Sequence, residues 1–157
     1  MRRVPSLTGF ACLIAFFAIG CRNLDVVTDS YATLDEARRD GAIARGWVPE
    51  GLPPGTHEIR EAHDLDSNRR WGLFSFQPEE SDVLRRLLKP NERPLAGERL
   101  DAPARIEWWP VLLRGKLDSD TIAATGLRAY ESVSGDLIFL VNWKQGRAYY
   151  WSSQAHR

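Results

Sequence analysis

HEIREAH, residues 57 to 63, places His57, Glu58, Glu61 and His63 within two turns' length of chain, and these are the side chains from which metal sites and acid-base pairs are made. The run begins like a zincin helix, which needs His at i and i+4 on one helical face, but the i+4 residue is Glu61. On a strand, alternation puts His57, Ile59, Glu61 and His63 on one face. His57 and His63 then stand about 20 Å apart, too far to share an ion, so no metal site and no cofactor are expected. DLDSN, residues 64 to 68, repeats the D-x-D-x-N opening of a calcium loop. Arg69 then stands where that loop turns on Gly, and Ser75 where it needs a bidentate Glu. Asp and Asn also bond their own backbone in turns, so a hairpin turn is the expectation, with calcium in another geometry as the alternative.

Glu58, Glu61, Asp64 and Asp66 are the candidate carboxylates for a hydrolase, which would need two of them about 5 to 9.5 Å apart. The sequence contains no G-x-S-x-G elbow, phosphate loop or glycine-rich dinucleotide fingerprint. No catalytic residue is assigned, and a non-enzymatic protein is expected. Six tryptophans remain, Trp47, Trp71, Trp108, Trp109, Trp143 and Trp151. Most serve packing, but adjacent Trp108 and Trp109 cannot both face inward from one strand. One of the two must meet a groove, a partner or a second layer, which makes them candidate binding residues.

Cys21 sits where the chain turns from apolar to charged. Arg2 and Arg3, the apolar core FACLIAFFAI (Phe10 to Ile19) and small Gly20 follow the plan of an export signal. The apolar stretch is about half of the roughly 20 residues that a spanning helix needs. Ala18, Ile19, Gly20 and Cys21 resemble the lipobox of bacterial prolipoproteins, with Ala18 where Leu is usual. The resemblance implies that Cys21 takes a diacylglyceryl group, that cleavage falls between Gly20 and Cys21, and that the mature N-terminus is acylated in a cell membrane or outer membrane. In Gram-negative members an Asp after the cysteine commonly retains the protein in the inner membrane, so Arg22 favours the outer one. Two or three acyl chains, at about 0.8 kcal/mol per buried CH₂, hold a protein to a bilayer effectively permanently. Cys12 would leave with the signal, so the mature domain has neither free thiol nor disulfide.

Of 157 residues, 137 follow the signal, enough for one domain with a core of ordinary size. Without Arg2 and Arg3, 19 basic side chains face 21 acidic ones, which leaves no electrostatic footprint for nucleic acid. Residues 21 to 32 read as a short tether, with a strand possible from Asp25 to Thr28, and residues 33 to 157 as the domain. Thr33 and Glu36 form a capping box that opens a helix from Leu34 to about Arg45, stopped by Gly46, with Leu34, Ala37, Gly41 and Ala44 inward. WVPEGLPPGT, residues 47 to 56, is a loop. Strands are expected near His57 to Ala62 and Arg70 to Phe76 around a turn at Asp64 to Asn68. Pro78 opens a second helix with Val83, Leu84, Leu87 and Leu88 as its apolar stripe, ending at Lys89 and Pro90.

Residues 90 to 103 are loop by composition. Ala104, Ile106 and Trp108 alternate as a strand would, and Asp118 or Ser119 can cap a short helix. LRAYES, DLIFLVNW and RAYYWSS, divided by Ser134-Gly135 and Gln145-Gly146, give three antiparallel strands, with LIFLV apolar on both faces as a central strand is. The expectation is an α+β fold: an antiparallel sheet of about five or six strands, two main helices and a C-terminal three-stranded meander. ATLDEAR, RGWVP and HDLDSN together resemble an uncharacterised family of small bacterial envelope proteins, a resemblance that implies no activity. The functional expectation is a membrane-anchored, non-catalytic adaptor for an envelope protein partner. The alternatives are a small-ligand or carbohydrate binder using exposed tryptophan, and a carboxylate-dependent hydrolase.

Overall fold

Val26 and Val27 begin an edge strand that continues without a break into the first helix. The computed structural model describes residues 26–153; the signal segment, Gly20, Cys21 and His156 lie outside them. β1 (Val26–Thr33) pairs antiparallel with β2 (His57–Asp64), Val26 opposite Asp64 and Thr33 opposite His57. The stretch read as tether is therefore sheet from Val26 onward. Thr33 caps α1 (Leu34–Asp40): its hydroxyl accepts from the Glu36 N–H, while the Glu36 carboxylate accepts from the Ala32 N–H at 2.8 Å. Two orphan donors of the helix start are satisfied in this way.

The helix is shorter than the sequence pattern suggests. Gly41, not Gly46, ends it, at φ 83° with its N–H shared by the carbonyls of Ala37 and Arg38, a left-handed cap that only glycine adopts without strain. A second tight turn follows, and it buries Ala42 while Ala44 faces solvent, the reverse of a continuous helical stripe.

β3 (Arg70–Ser75) returns along β2. The second helix is also broken: Pro78–Glu80 forms a 3₁₀ turn and α2 spans only Ser81–Arg85. Its apolar stripe survives at Leu84 and Leu88, both buried. The backbone leaves the helix because the sheet edge offers better partners: Lys89 N–H bonds Glu131 O at 2.8 Å, Arg93 N–H bonds Ala129 O at 2.8 Å, and Leu88 bridges to Ser132.

β4 (Arg99–Leu100) and β5 (Gly115–Lys116) make a separate two-stranded ribbon. Between them the strand expected at Ala104 to Trp108 is absent, and turns take its place. Prolines bound the segment, and the Arg114 guanidinium gathers its carbonyls, bonding Pro103 O at 2.8 Å and Ile106 O at 2.5 Å, so these carbonyls point to one centre instead of along a ladder. α3 (Ser119–Ala124) is capped as expected by Asp118, whose carboxylate accepts from the N–H groups of Asp120 and Thr121.

β6 (Arg128–Glu131), β7 (Leu137–Asn142) and β8 (Arg147–Ser152) form the meander. The six-stranded sheet runs β1-β2-β3-β8-β7-β6, antiparallel throughout, so the fold is α+β. All six residues of β7 are buried, because both faces of the sheet are covered. On one face α1, Val48, Leu52, Leu84 and Leu88 pack against Phe74, Phe139 and Tyr150. On the other, Leu95, Ile106, Trp109, Leu113 and Ile122 pack against Trp71, Leu140 and Trp151. Each fully buried side chain of this size contributes about 1.5 to 3 kcal/mol, and two such layers hold the domain without a crosslink.

Candidate functional site

Two groups of polar side chains sit on opposite faces of the same four strands, and the ladder register decides which residues meet. On the α1 face one row reads Asp29, Glu61, Gly72, Tyr150, each opposite the next. Glu61 is fully buried and His63, two residues along, nearly so. The Glu61 carboxyl lies 3.0 and 3.2 Å from His63 Nδ1. Trp47 stacks flat on the His63 ring, centroids 3.6 Å apart, and Arg45 covers the other side of the indole at 4.0 Å. The Tyr150 hydroxyl donates to Trp47 O at 2.9 Å and fixes the loop that carries the indole. Gly72 is required here, since a Cβ would fall 2.1 Å from Tyr150 Cζ.

The charges in this cluster are governed by loss of water. Burial first, then the carboxylate of Asp29 beside it and its hydrogen bond, push the Glu61 carboxyl up to about 8, against the smaller opposing pull of Arg45. Burial likewise pushes the His63 imidazole below its ordinary value. At neutral pH the pair is therefore a protonated acid donating to Asp29 and a neutral imidazole donating from Nδ1. His63 Nε2 has no partner among the described residues, as fits its bare lone pair in that tautomer. Such a cluster stores a proton inside the sheet and offers a substrate no surface.

The opposite face carries an open trough of about 480 Å³. There the row reads Ser30, Arg60, Leu73, Tyr149. Next to it Glu58 sits at a bulge with φ 49°, unusual for a residue with a side chain, and accepts from the Ser75 hydroxyl at 3.0 Å and from Arg147 at 3.5 Å. Half-buried Trp108 stands in the trough wall. Trp109 turns inward, its indole N–H donating to Leu113 O at 2.9 Å and its ring meeting Tyr149 edge-on at 5.9 Å.

Of the residues singled out from sequence, Trp108 and Trp109 do divide between surface and core, on a turn instead of a strand. His57 turns to its own loop, with Nδ1 2.9 Å from Gly55 O. Asp64 closes the hairpin turn, accepting from the Asp66 and Ser67 N–H groups at 3.0 and 2.9 Å, bonds that hold its carboxyl below the usual range. Among the described residues no three His, Cys, Asp or Glu side chains converge as metal ligands.

Residues 25–75 match the model of the YbbD head domain. The matched model is of a bacterial envelope-type family, and it defines no activity. ATLDEAR, RGWVP and HDLDSN all fall inside it. The head-domain match ends at Ser75, where β3 ends, so it covers the β1-α1-β2-β3 half of the sheet and the whole Asp29, Trp47, Glu61, His63 cluster. No curated protein and no solved structure matches the chain.

Asp29, Arg45 and Trp47 are partners in the cluster that the sequence reading left out. The available signal was register: a strand at 26 to 33 paired with 57 to 64 sets Asp29 directly against Glu61. Among the described residues no helix is long and apolar enough to cross a membrane.

Proposed function

We propose that the protein is a membrane-anchored envelope lipoprotein whose domain acts as a non-catalytic interaction module held close to the bilayer. The observation that carries this reading is the spacing between Cys21 and Val26, the first residue of the sheet. Residues 22 to 25 reach no more than about 18 Å from one to the other. An acylated Cys21 would hold β1 within a headgroup's distance of the membrane and leave no stalk. The envelope-type family match supports the location. The sealed state of Glu61 and His63 supports a non-catalytic role, since an acid-base pair must come within hydrogen-bond reach of its substrate.

The experiment is incorporation of labelled palmitate into the full chain and into Cys21→Ser, with membrane fractionation of both. Label and membrane association that vanish together in the serine variant support the anchor. An unlabelled wild-type chain, or a serine variant that stays on the membrane, refutes it.

A second reading, a ligand-binding module, is favoured by one observation: the tryptophan pair places Trp108 in the wall of an open trough.

A further inference from the structure

From the lining of that trough we infer that it is a binding site for an acidic saccharide, a pyranose bearing a carboxylate; this rests on the ligand-binding reading above. The layer covering this face of the sheet packs on Trp71, Ile138, Leu140 and Trp151. It leaves Ser30, Arg60, Tyr149 and Arg147 open beside Trp108. The resulting volume of about 480 Å³ lies in the range of small-ligand sites.

The chemistry of the lining selects the ligand. Donors dominate: two guanidinium groups, the Trp108 indole N–H, the Tyr149 hydroxyl and the Ser30 hydroxyl. Among the described residues Arg60 forms no ion pair and the Trp108 indole N–H has no acceptor. The single anion, Glu58, is already engaged by Ser75 and Arg147. The trough thus carries one surplus positive charge and several open donors, and asks for a ligand rich in acceptors that brings its own negative charge.

Trp108 and Tyr149 add apolar ring surface, and large aromatics with a polar tip suit half-wet sites. A sugar ring has flat C–H faces for the aromatics, hydroxyls for the donors and, when acidic, a carboxylate for Arg60. Guanidinium groups take carboxylates through paired, charge-assisted hydrogen bonds. Glu58, at φ 49° in the bulge, accepts from Arg147 at 3.5 Å, which leaves Arg60 as the cation of the trough without an ion pair among the described residues.

The test is titration of the full, membrane-extracted chain with digalacturonic acid and with neutral galactobiose, followed by calorimetry. Saturable binding of the acid at least tenfold tighter than of the neutral sugar is expected, weakened at least tenfold by Arg60→Glu and by Trp108→Leu. Tyr149→Phe, which removes one hydroxyl and little packing, should weaken it severalfold with an unchanged melting temperature. Equal binding of acid and neutral sugars, still dependent on Trp108, would overturn the acidic class and leave the ligand-binding reading standing. No binding of either would overturn both. Binding indifferent to Arg60→Glu and Tyr149→Phe would overturn the site, as would capture of phosphatidylglycerol vesicles by these residues in place of the sugar.

Discussion

Glu61→Gln tests the buried cluster directly, because the amide keeps the shape of the protonated acid while removing its titration. Glu61 is pushed up from 4.5 to about 8 by burial and by Asp29. Between those values the folded chain holds a proton that the unfolded chain has released, so this group's contribution falls as pH rises. The slope is about 1.4 kcal/mol per pH unit, and the whole interval is worth about 5 kcal/mol.

His63 works in the other direction and in another window. Its imidazole is lowered from 6.5, so below that pH the unfolded chain takes up a proton the folded chain refuses, and stability falls as pH falls. Above pH 6.5 the His63 contribution fades and is common to wild type and variant, so in their difference only the Glu61 slope remains, a loss of about 2 kcal/mol from pH 6.5 to 8. The surrounding charged and titratable groups, Asp29, Tyr31, Asp40, Arg45, Arg70 and Tyr150, are the same in wild type and variant and cancel in the comparison. Urea unfolding followed by tryptophan fluorescence at pH 6.5, 7, 7.5 and 8 should give a wild-type free energy that declines relative to Glu61→Gln by about 2 kcal/mol across the series. A constant difference between the two proteins would refute a neutral, proton-holding Glu61.

Other substitutions report on the scaffold. Gly72→Ala puts a methyl 2.1 Å from Tyr150 Cζ, between buried Glu61 and buried Tyr150, and should lower stability by about 3 kcal/mol in thermal melts. Tyr150→Phe leaves Trp47 O without its donor, and should cost about 1 to 2 kcal/mol by urea titration with the fold retained. Arg114→Ala releases the carbonyls of Pro103 and Ile106, and limited proteolysis should then cut between residues 101 and 114 before the rest of the domain is attacked.

The parts of the fold that local chemistry dictates were legible in the sequence. Thr33 and Glu36 announced the start of α1, Asp64 the hairpin turn, Asp118 the cap of α3, and the aromatic and β-branched runs the meander. What failed was decided by competition between neighbours. Gly41 and Gly46 are equally good stops, and only the packing of Ala42 selects the earlier one. The alternation at Ala104, Ile106 and Trp108 reads as a strand until Arg114, eight residues beyond Ile106, claims the carbonyls. For the site, Trp108 was found because adjacency alone forces a choice of sides. Glu61 and His63 were noticed as chemistry-bearing residues, but Asp29 lies thirty-two positions upstream of Glu61 and only strand register brings it there. Arg60 carries no local motif at all.

The joint between β3 and β8 divides the sheet into an early and a late half. Trp71 pairs with Trp151, and Leu73 with Tyr149, so the first three strands cannot complete their inner border until β8, more than seventy positions after β3, arrives. Closing so long a loop is entropically slow, and a chain delivered N-terminus first presents a naked, aromatic-lined border in the meantime. The unit that matches the head-domain family is thus half of a clasp, and its kinetic fate belongs to the C-terminal strand that fastens it.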